Sequence, residues 1–197
     1  MIKLGVFYSP ENDLSNNIEF IKTYFGSKSK INKYLDHLVH SSLYVFNTEL
    51  IEINEIVKEF ENLQNTLIPI TSKIKKWIVF GDDILTGLNT LCLEVELTNE
   101  LKNLQYNIVN TLFKFHSNEF QNSFEGDLKI SNDKYGYPFV GEHWIPHFTI
   151  GSMEIETKKI LEHTDGLFQF PKDIVINNLS LYKIEGDSHS LIKKIRF

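Results

Sequence analysis

Apolar and polar positions alternate along the chain with two periods, and their order predicts the elements. Residues 2–8 form a short apolar run that predicts a first strand. Residues 12–24 predict a helix: Leu14, Ile18, Ile21 and Phe25 recur at helical spacing behind a polar start of Asn12, Asp13 and Ser15. Residues 38–46, rich in β-branched and aromatic side chains, predict a strand. Residues 52–63 predict an amphipathic helix, with Ile53, Ile56, Val57, Phe60 and Leu63 on one face. Strands at 73–80 and 90–97 follow, separated by the turns Gly81-Asp82-Asp83 and Thr86-Gly87. Thr98-Asn99-Glu100 reads as the start of a helix through 101–115. Residues 116–141 are polar and contain glycine, which predicts a long loop. A strand at 145–151, a helix at 156–163 and closing strands at 174–184 and 191–197 complete the pattern, the last two joined by Glu185-Gly186-Asp187.

Strands and helices mix without strict alternation, which predicts an α+β class with antiparallel sheets flanked by helices. The 197 residues contain no Pro/Gly/Ser-rich linker, so residues 1–197 are expected to form one domain of two lobes. A chain of this size buries roughly 70% of its unfolded surface and needs no covalent staples. The one cysteine, Cys92, sits in Leu91-Cys92-Leu93 and reads as a buried thiol; it excludes a Cys-based zinc cage. The amino terminus turns polar too soon for a signal peptide and no apolar run reaches bilayer length, so a cytoplasmic protein is expected.

The net charge of −6 argues against coating long duplex nucleic acid, whose binding draws on many cations. It leaves open a small anionic substrate or an RNA end in a local pocket. Arg196 is the only arginine, so phosphate contacts must come from Lys, His, hydroxyls or backbone N–H groups.

Two segments resemble each other: Val39-His40-Ser41-Ser42-Leu43 and Pro146-His147-Phe148-Thr149-Ile150. Each reads His, any residue, hydroxyl, aliphatic, and each precedes a predicted helix. They lie about half the chain apart, which suggests two related lobes. Residues i and i+2 of a strand share a face, so His40 and Ser42 point one way, as do His147 and Thr149. If the two segments are neighbouring central strands, two imidazoles and two hydroxyls converge on a cleft. A neutral imidazole can take a proton and a protonated one can give it, while hydroxyls hold the oxygens of a five-coordinate phosphorus. Such a set suits cleavage of a phosphodiester without a metal.

With these motifs the chain resembles the two-histidine (2H) phosphoesterases, which include the so-called 2′-5′ RNA ligases and the 2′,3′-cyclic phosphodiesterases. Pro146, Gly151 and the order of elements also look like that family. Ser42 stands where Thr is commoner in it, and Val39 where Pro often precedes the histidine. The resemblance implies two pseudo-symmetric lobes around a cleft. It implies a cofactor-free cyclic phosphodiesterase with His40 and His147 as general acid and base and Ser42 and Thr149 on the phosphate. The implied substrates are 2′,3′-cyclic phosphates of RNA 3′ ends or small nucleotides, opened to a 2′-phosphate, and the implied state is a monomer. 2′-5′-linked oligoadenylates, cyclic nucleotide signals and a non-catalytic nucleotide-binding module of the same fold are the alternatives.

Further residues carry weaker signals. His37-x-x-His40 and His143-x-x-x-His147, with Asp36 and Glu142 beside them, raise a metal alternative, against which Pro146 breaks the helix it would need. In an extended strand His37 faces away from His40, and His143 shares a face with His147. Tyr135 and Tyr137, held in a loop by Gly136 and Pro138, are candidates for stacking on a base, with Phe139 and Trp144 behind them. Lys73, Lys75 and Lys76 make a basic edge beside Trp77. The absence of a phosphate-cradling Gly-rich loop argues against triphosphate use.

Overall fold

The computed structural model describes residues 1–28, 32–117 and 124–197. Their elements run β1 (Ile2–Tyr8), α1 (Asn12–Gly26), β2 (Asn32–Lys33), β3 (Ser41–Thr48), α2 (Ile53–Leu63), β4 (Ile70–Phe80), β5 (Asn89–Val95) and α3 (Asn99–Leu112). After them come α4 (Gly126–Tyr135), β6 (His147–Met153), α5 (Thr157–Glu162), β7 (Lys172–Ile176), β8 (Asn178–Glu185) and β9 (Ser188–Arg196). The strands form two antiparallel sheets, ordered β3-β1-β8-β9 and β2-β6-β5-β4-β7. The class is α+β, as the mixed pattern predicts.

The helices form where an apolar stripe meets a start signal. In α2 Ile56, Phe60 and Leu63 are buried on the stripe the sequence outlines. The Thr98 hydroxyl caps α3 by accepting from the Leu101 N–H at 3.2 Å. Leu14, Ile18, Ile21 and Phe25 of α1 are all buried. Helix α1 packs on β6, α3 on β3 and β4, and α2 on α3 and β9. One contiguous apolar cluster therefore joins side chains of both sheets, from Leu4 and Phe46 to Leu93 and Phe148. No described helix is long and apolar enough to cross a membrane.

The lobes are not the two halves of the chain. The four-stranded sheet takes β1 and β3 from the first half and β8 and β9 from the end. The predicted strand at 174–184 makes this possible by splitting at Asn177: β7 pairs with β4 in one sheet, and β8 pairs with β1 in the other. The break falls at Asn177-Asn178, the polar pair between the two apolar pieces, and both strands bury side chains.

The predicted loop at 116–141 contains α4, which closes on Gly136 in the left-handed region (φ 66°). This helix buries only Ser131, so it shows no apolar period in the sequence. Tertiary hydrogen bonds anchor it: Tyr44 Oη donates to the Tyr135 carbonyl at 2.5 Å, and Ser131 Oγ to the Tyr137 carbonyl at 3.1 Å. Residues 118–123 of the predicted loop lie outside the described residues.

Candidate functional site

The two motifs sit on strands of different sheets rather than on neighbours in one. β3 is the edge of the four-stranded sheet, and β6 lies inside the five-stranded one. They still touch. Trp144 Nε1–H, on the approach to His147, donates to the Ser42 carbonyl at 3.0 Å. Ser41 and Leu43 line a small hollow together with Trp144 and Pro146.

Both motifs share a backbone irregularity that alternation alone does not reveal. In β3 the register with β1 runs Val6↔Tyr44 and then Phe7↔Ser42, so Leu43 is left unpaired. In β6 the register with β5 runs Leu91↔Gly151 and then Cys92↔Thr149, so Ile150 is left unpaired. Each β-bulge falls on the aliphatic residue just after the hydroxyl. A bulge resets which face the following residues take. Tyr44 and Phe46 thus enter the core, while Ser42 turns to the opposite face beside Phe7. Without the bulge, Ser42 would share the buried face of Tyr44. Thr149 is likewise opposite Cys92, whose Sγ lies 3.8 Å from its Oγ1.

The histidines are pinned alike. His40 Nδ1 is 2.7 Å from the Leu38 carbonyl, and His147 Nδ1 is 2.6 Å from the Ile145 carbonyl, each two residues upstream. A carbonyl only accepts, so each Nδ1 carries the proton and each Nε2 keeps its lone pair. No hydrogen-bond partner meets either Nε2 among the described residues. Both rings and both hydroxyls are half-buried. Burial pushes the His40 pKa down to about 3, helped by His189, His37 and Lys22, against the Leu38 hydrogen bond. Burial also lowers His147, while the Ile145 carbonyl and Asp83 work to raise it. Burial is the leading cause that pushes the Cys92 thiol up, in keeping with its reading as a buried group.

Around His40 the structure gathers residues that the sequence does not announce. Phe7 stacks on its ring at 4.0 Å between centroids, and Tyr182 stacks on Phe7 at 5.5 Å. The Phe7 ring lies across Gly5, where a Cβ would stand 2.4 Å from Phe7 Cζ. His189 of β9 stands 5.4 Å from His40 and 4.6 Å from His37. His37 pairs with Asp187 at 3.4 Å. The expectation that His37 faces away from His40 fails, because residues 34–40 form a turn and not an extended strand.

Lys22 of α1 holds that turn. It is only 3% exposed, and its ammonium donates to the carbonyls of Tyr34 (3.2 Å), Leu35 (3.3 Å) and His37. A buried ammonium is costly unless its donors are met, and here all three have acceptors. Tyr34 takes a positive φ of 72°, rare for a non-glycine residue. Its ring meets His37 at 4.9 Å. Burial first, then Asp83 and Asp187, push its hydroxyl up to about 12.

His147 has a different neighbourhood. Phe80 meets it edge-on at 5.2 Å. Its cross-strand neighbour is Glu94, which pairs with Lys76 at 3.4 Å. Asp83 Oδ2 accepts from Thr90 Oγ1 at 2.6 Å, and Thr90 meets Ser152 Oγ at 2.6 Å.

Other expectations are corrected. Tyr137 is 8% exposed and packs edge-on against Tyr44 and Phe139 in the core. Tyr135 ends α4 against Phe113, its carbonyl held by Tyr44. Tyr44 lies on the face of β3 away from Ser42, and Tyr135 is half-buried. Lys73, Lys75 and Lys76 are exposed on β4; β7 pairs with β4 only through Ile74, so Lys75 and Lys76 lie beyond it, and Lys73 pairs with Asp173 and Lys76 with Glu94. His143 sits in a 3-10 turn with no hydrogen bond or ring contact to His147. Among the described residues no three His, Cys, Asp or Glu side chains gather as a metal-holding set.

The buried Gln105 of α3 is also silent in the sequence. Its amide donates to the carbonyls of Leu43 (3.1 Å) and Phe139 (2.9 Å) and accepts from the Gly141 N–H (2.8 Å). It thereby satisfies the carbonyl of the bulge residue in the first motif.

No family model matches the sequence, and no curated protein matches it. Solved structures do match in shape. TT0787 of Thermus thermophilus superposes with a TM-score of 0.68 at 10% identity, over 99% of this chain and 97% of that one. E. coli LigT complexed with 3′-AMP gives 0.58 at 9% identity, over 99% and 97%. Kluyveromyces marxianus Usb1 gives 0.54 at 9% identity, over 99% and 98%. At such identities the likeness is one of fold, which this chain shares with these structures over nearly its whole length.

Proposed function

We propose that the protein is a metal-independent phosphodiesterase acting on a ribose-linked phosphodiester. The best-fitting substrate is a 2′,3′-cyclic phosphate on an RNA 3′ end or a nucleotide, opened to a 2′-phosphate. One observation carries this reading. Twice, a histidine with its Nδ1 proton pinned to the carbonyl two residues upstream stands two residues before a hydroxyl that a bulge turns to the open face. Each unit offers one free Nε2 for proton transfer and one O–H for a phosphate oxygen, so the pair supplies an acid, a base and two donors. The likeness to LigT structures complexed with 3′-AMP and with phosphate supports it.

Of the two residues on each motif, the imidazoles move protons and Ser42 and Thr149 hold charge as it builds on the non-bridging oxygens. Half-burial of both rings keeps them neutral in the free protein near pH 7, and an arriving phosphate anion favours protonation of one of them.

The test is turnover of nucleoside 2′,3′-cyclic monophosphates, a short RNA ending in that group, and 2′-5′-linked oligoadenylate, all with EDTA present. Loss of turnover in both His40→Ala and His147→Ala is expected. Binding of these ligands without turnover would identify a binding module. Activity that appears only when a divalent metal replaces EDTA would overturn the metal-free reading.

A further inference from the structure

The two histidines are pinned alike at the ring, but the backbone that leads to each is held differently. We propose that Lys22 is a positioning residue for His40: through the turn at residues 34–37 it aims the first imidazole from the lobe that carries the second. The assignment rests on the phosphodiesterase reading above, because the alignment of the two rings matters only if they act on one substrate.

The approach to His147 belongs to a sheet. The Pro146 carbonyl accepts from the Val95 N–H at 2.8 Å, so the residue before that histidine is already tied to the end of β5. The approach to His40 lies off both sheets, since residues 34–40 belong to no strand. The carbonyl that holds the His40 ring, that of Leu38, is in this stretch. Whatever fixes residues 34–38 therefore fixes the direction of the ring.

The parts that fix them come from the lobe of His147. Strand β2 pairs with β6 through Asn32↔Met153 and Lys33↔Ser152. Leu35 then sits against Gly151, just past the second motif: a Cβ there would stand 2.9 Å from Leu35 Cδ2. Gly26, at the end of α1, receives the other methyl, where a Cβ would stand 3.0 Å from Leu35 Cδ1. Helix α1 itself packs on β6. From this helix the buried Lys22 ammonium gives its three N–H groups to the carbonyls of Tyr34, Leu35 and His37. Three carbonyls aimed at one point repel each other, and Tyr34 at a φ of 72° adds strain. The ammonium at their centre offsets both. His40 is thus joined to β3 in one sheet and aimed by α1, β2 and β6 in the other lobe.

Lys22→Met keeps the length and apolar stem of the side chain and removes the three donors. The expected result is a fall in kcat of about 10- to 100-fold with KM nearly unchanged, because the rings lose alignment while the hydroxyls stay. In nitrogen NMR of the free variant, His40 should no longer keep its proton on Nδ1 alone, while His147 keeps its tautomer. Leu35→Ala leaves the ammonium in place and removes the seat on Gly151. It should act in the same direction on kcat and on His40, to a smaller extent, and it carries the test if Lys22→Met does not fold.

A lowered melting temperature with kcat and the His40 tautomer unchanged would overturn the proposal and leave Lys22 a stabilising residue only. Equal disturbance of both imidazoles by Lys22→Met would overturn it too, since the turn leads to one ring. Absence of wild-type turnover would defeat the phosphodiesterase reading. The His40 tautomer in the two variants would then still decide whether Lys22 aims its ring.

Discussion

The indole N–H of Trp144 donates to the carbonyl of Ser42 at 3.0 Å, tying the approach to one histidine motif to the backbone of the other. Because β3 and β6 belong to different sheets, no ladder bond sets their spacing. This side-chain bond does part of that work. Trp144→Phe keeps most of the buried ring and removes the donor, leaving the carbonyl unmet. The expected loss is about 1–3 kcal/mol in urea denaturation. Turnover should fall as well, because the two imidazoles lose a restraint on their separation.

Gln105 bonds both sides of the first motif's bulge region, through Leu43, Phe139 and Gly141. Gln105→Leu fills the same space and leaves three backbone groups without partners. The expected cost is on the order of 3 kcal/mol or more. Equal midpoints for wild type and variant would show that water or another group replaces the amide.

Ser42 and Thr149 are half-buried on the open faces, so their truncation should leave stability nearly unchanged. If they hold the phosphate, Ser42→Ala and Thr149→Ala should each lower kcat by roughly 10- to 1000-fold. Thr149→Ser should restore most of the loss, because it returns the hydroxyl. A fall in stability with unchanged kcat would place these hydroxyls in the scaffold instead.

Gly5 leaves room for the Phe7 ring that covers His40. Gly5→Ala puts a methyl 2.4 Å from Phe7 Cζ, and the ring must shift. The predicted effect is a change in the His40 resonances and a lowered rate. The His147 resonances, in the other sheet, should stay where they are.

The pH dependence follows from burial. Both imidazoles are shifted below 6.5, the ordinary histidine value, because the charged ring loses water. In the free protein at pH 7 both should be neutral, with the proton on Nδ1, as read by nitrogen chemical shifts. Whichever imidazole serves as the acid must be protonated, so kcat/KM should decline as pH rises through that ring's lowered value, giving an optimum on the acidic side of neutrality.

The sequence by itself determined the elements whose apolar period was strong and the residues proposed to carry the chemistry. Strand β1, helices α1, α2 and α3, and the paired His40-x-Ser42 and His147-x-Thr149 all follow from local pattern, since each element buries its own stripe. Tertiary structure decided what local pattern does not encode. It split the run at 174–184 between two sheets, because the partner strands β4 and β1 lie in different ones. It made a helix at 126–135, which the long-range Tyr44 hydrogen bond and the local Ser131 one hold in place of an apolar face. It placed the bulges at Leu43 and Ile150 that turn the hydroxyls outward, which depend on the partner strand's register. It brought His189, Lys22 and Phe7 to one histidine and Asp83 to the other. These residues are far apart in the chain, and the charge each histidine feels is a sum over neighbours that only folding assembles.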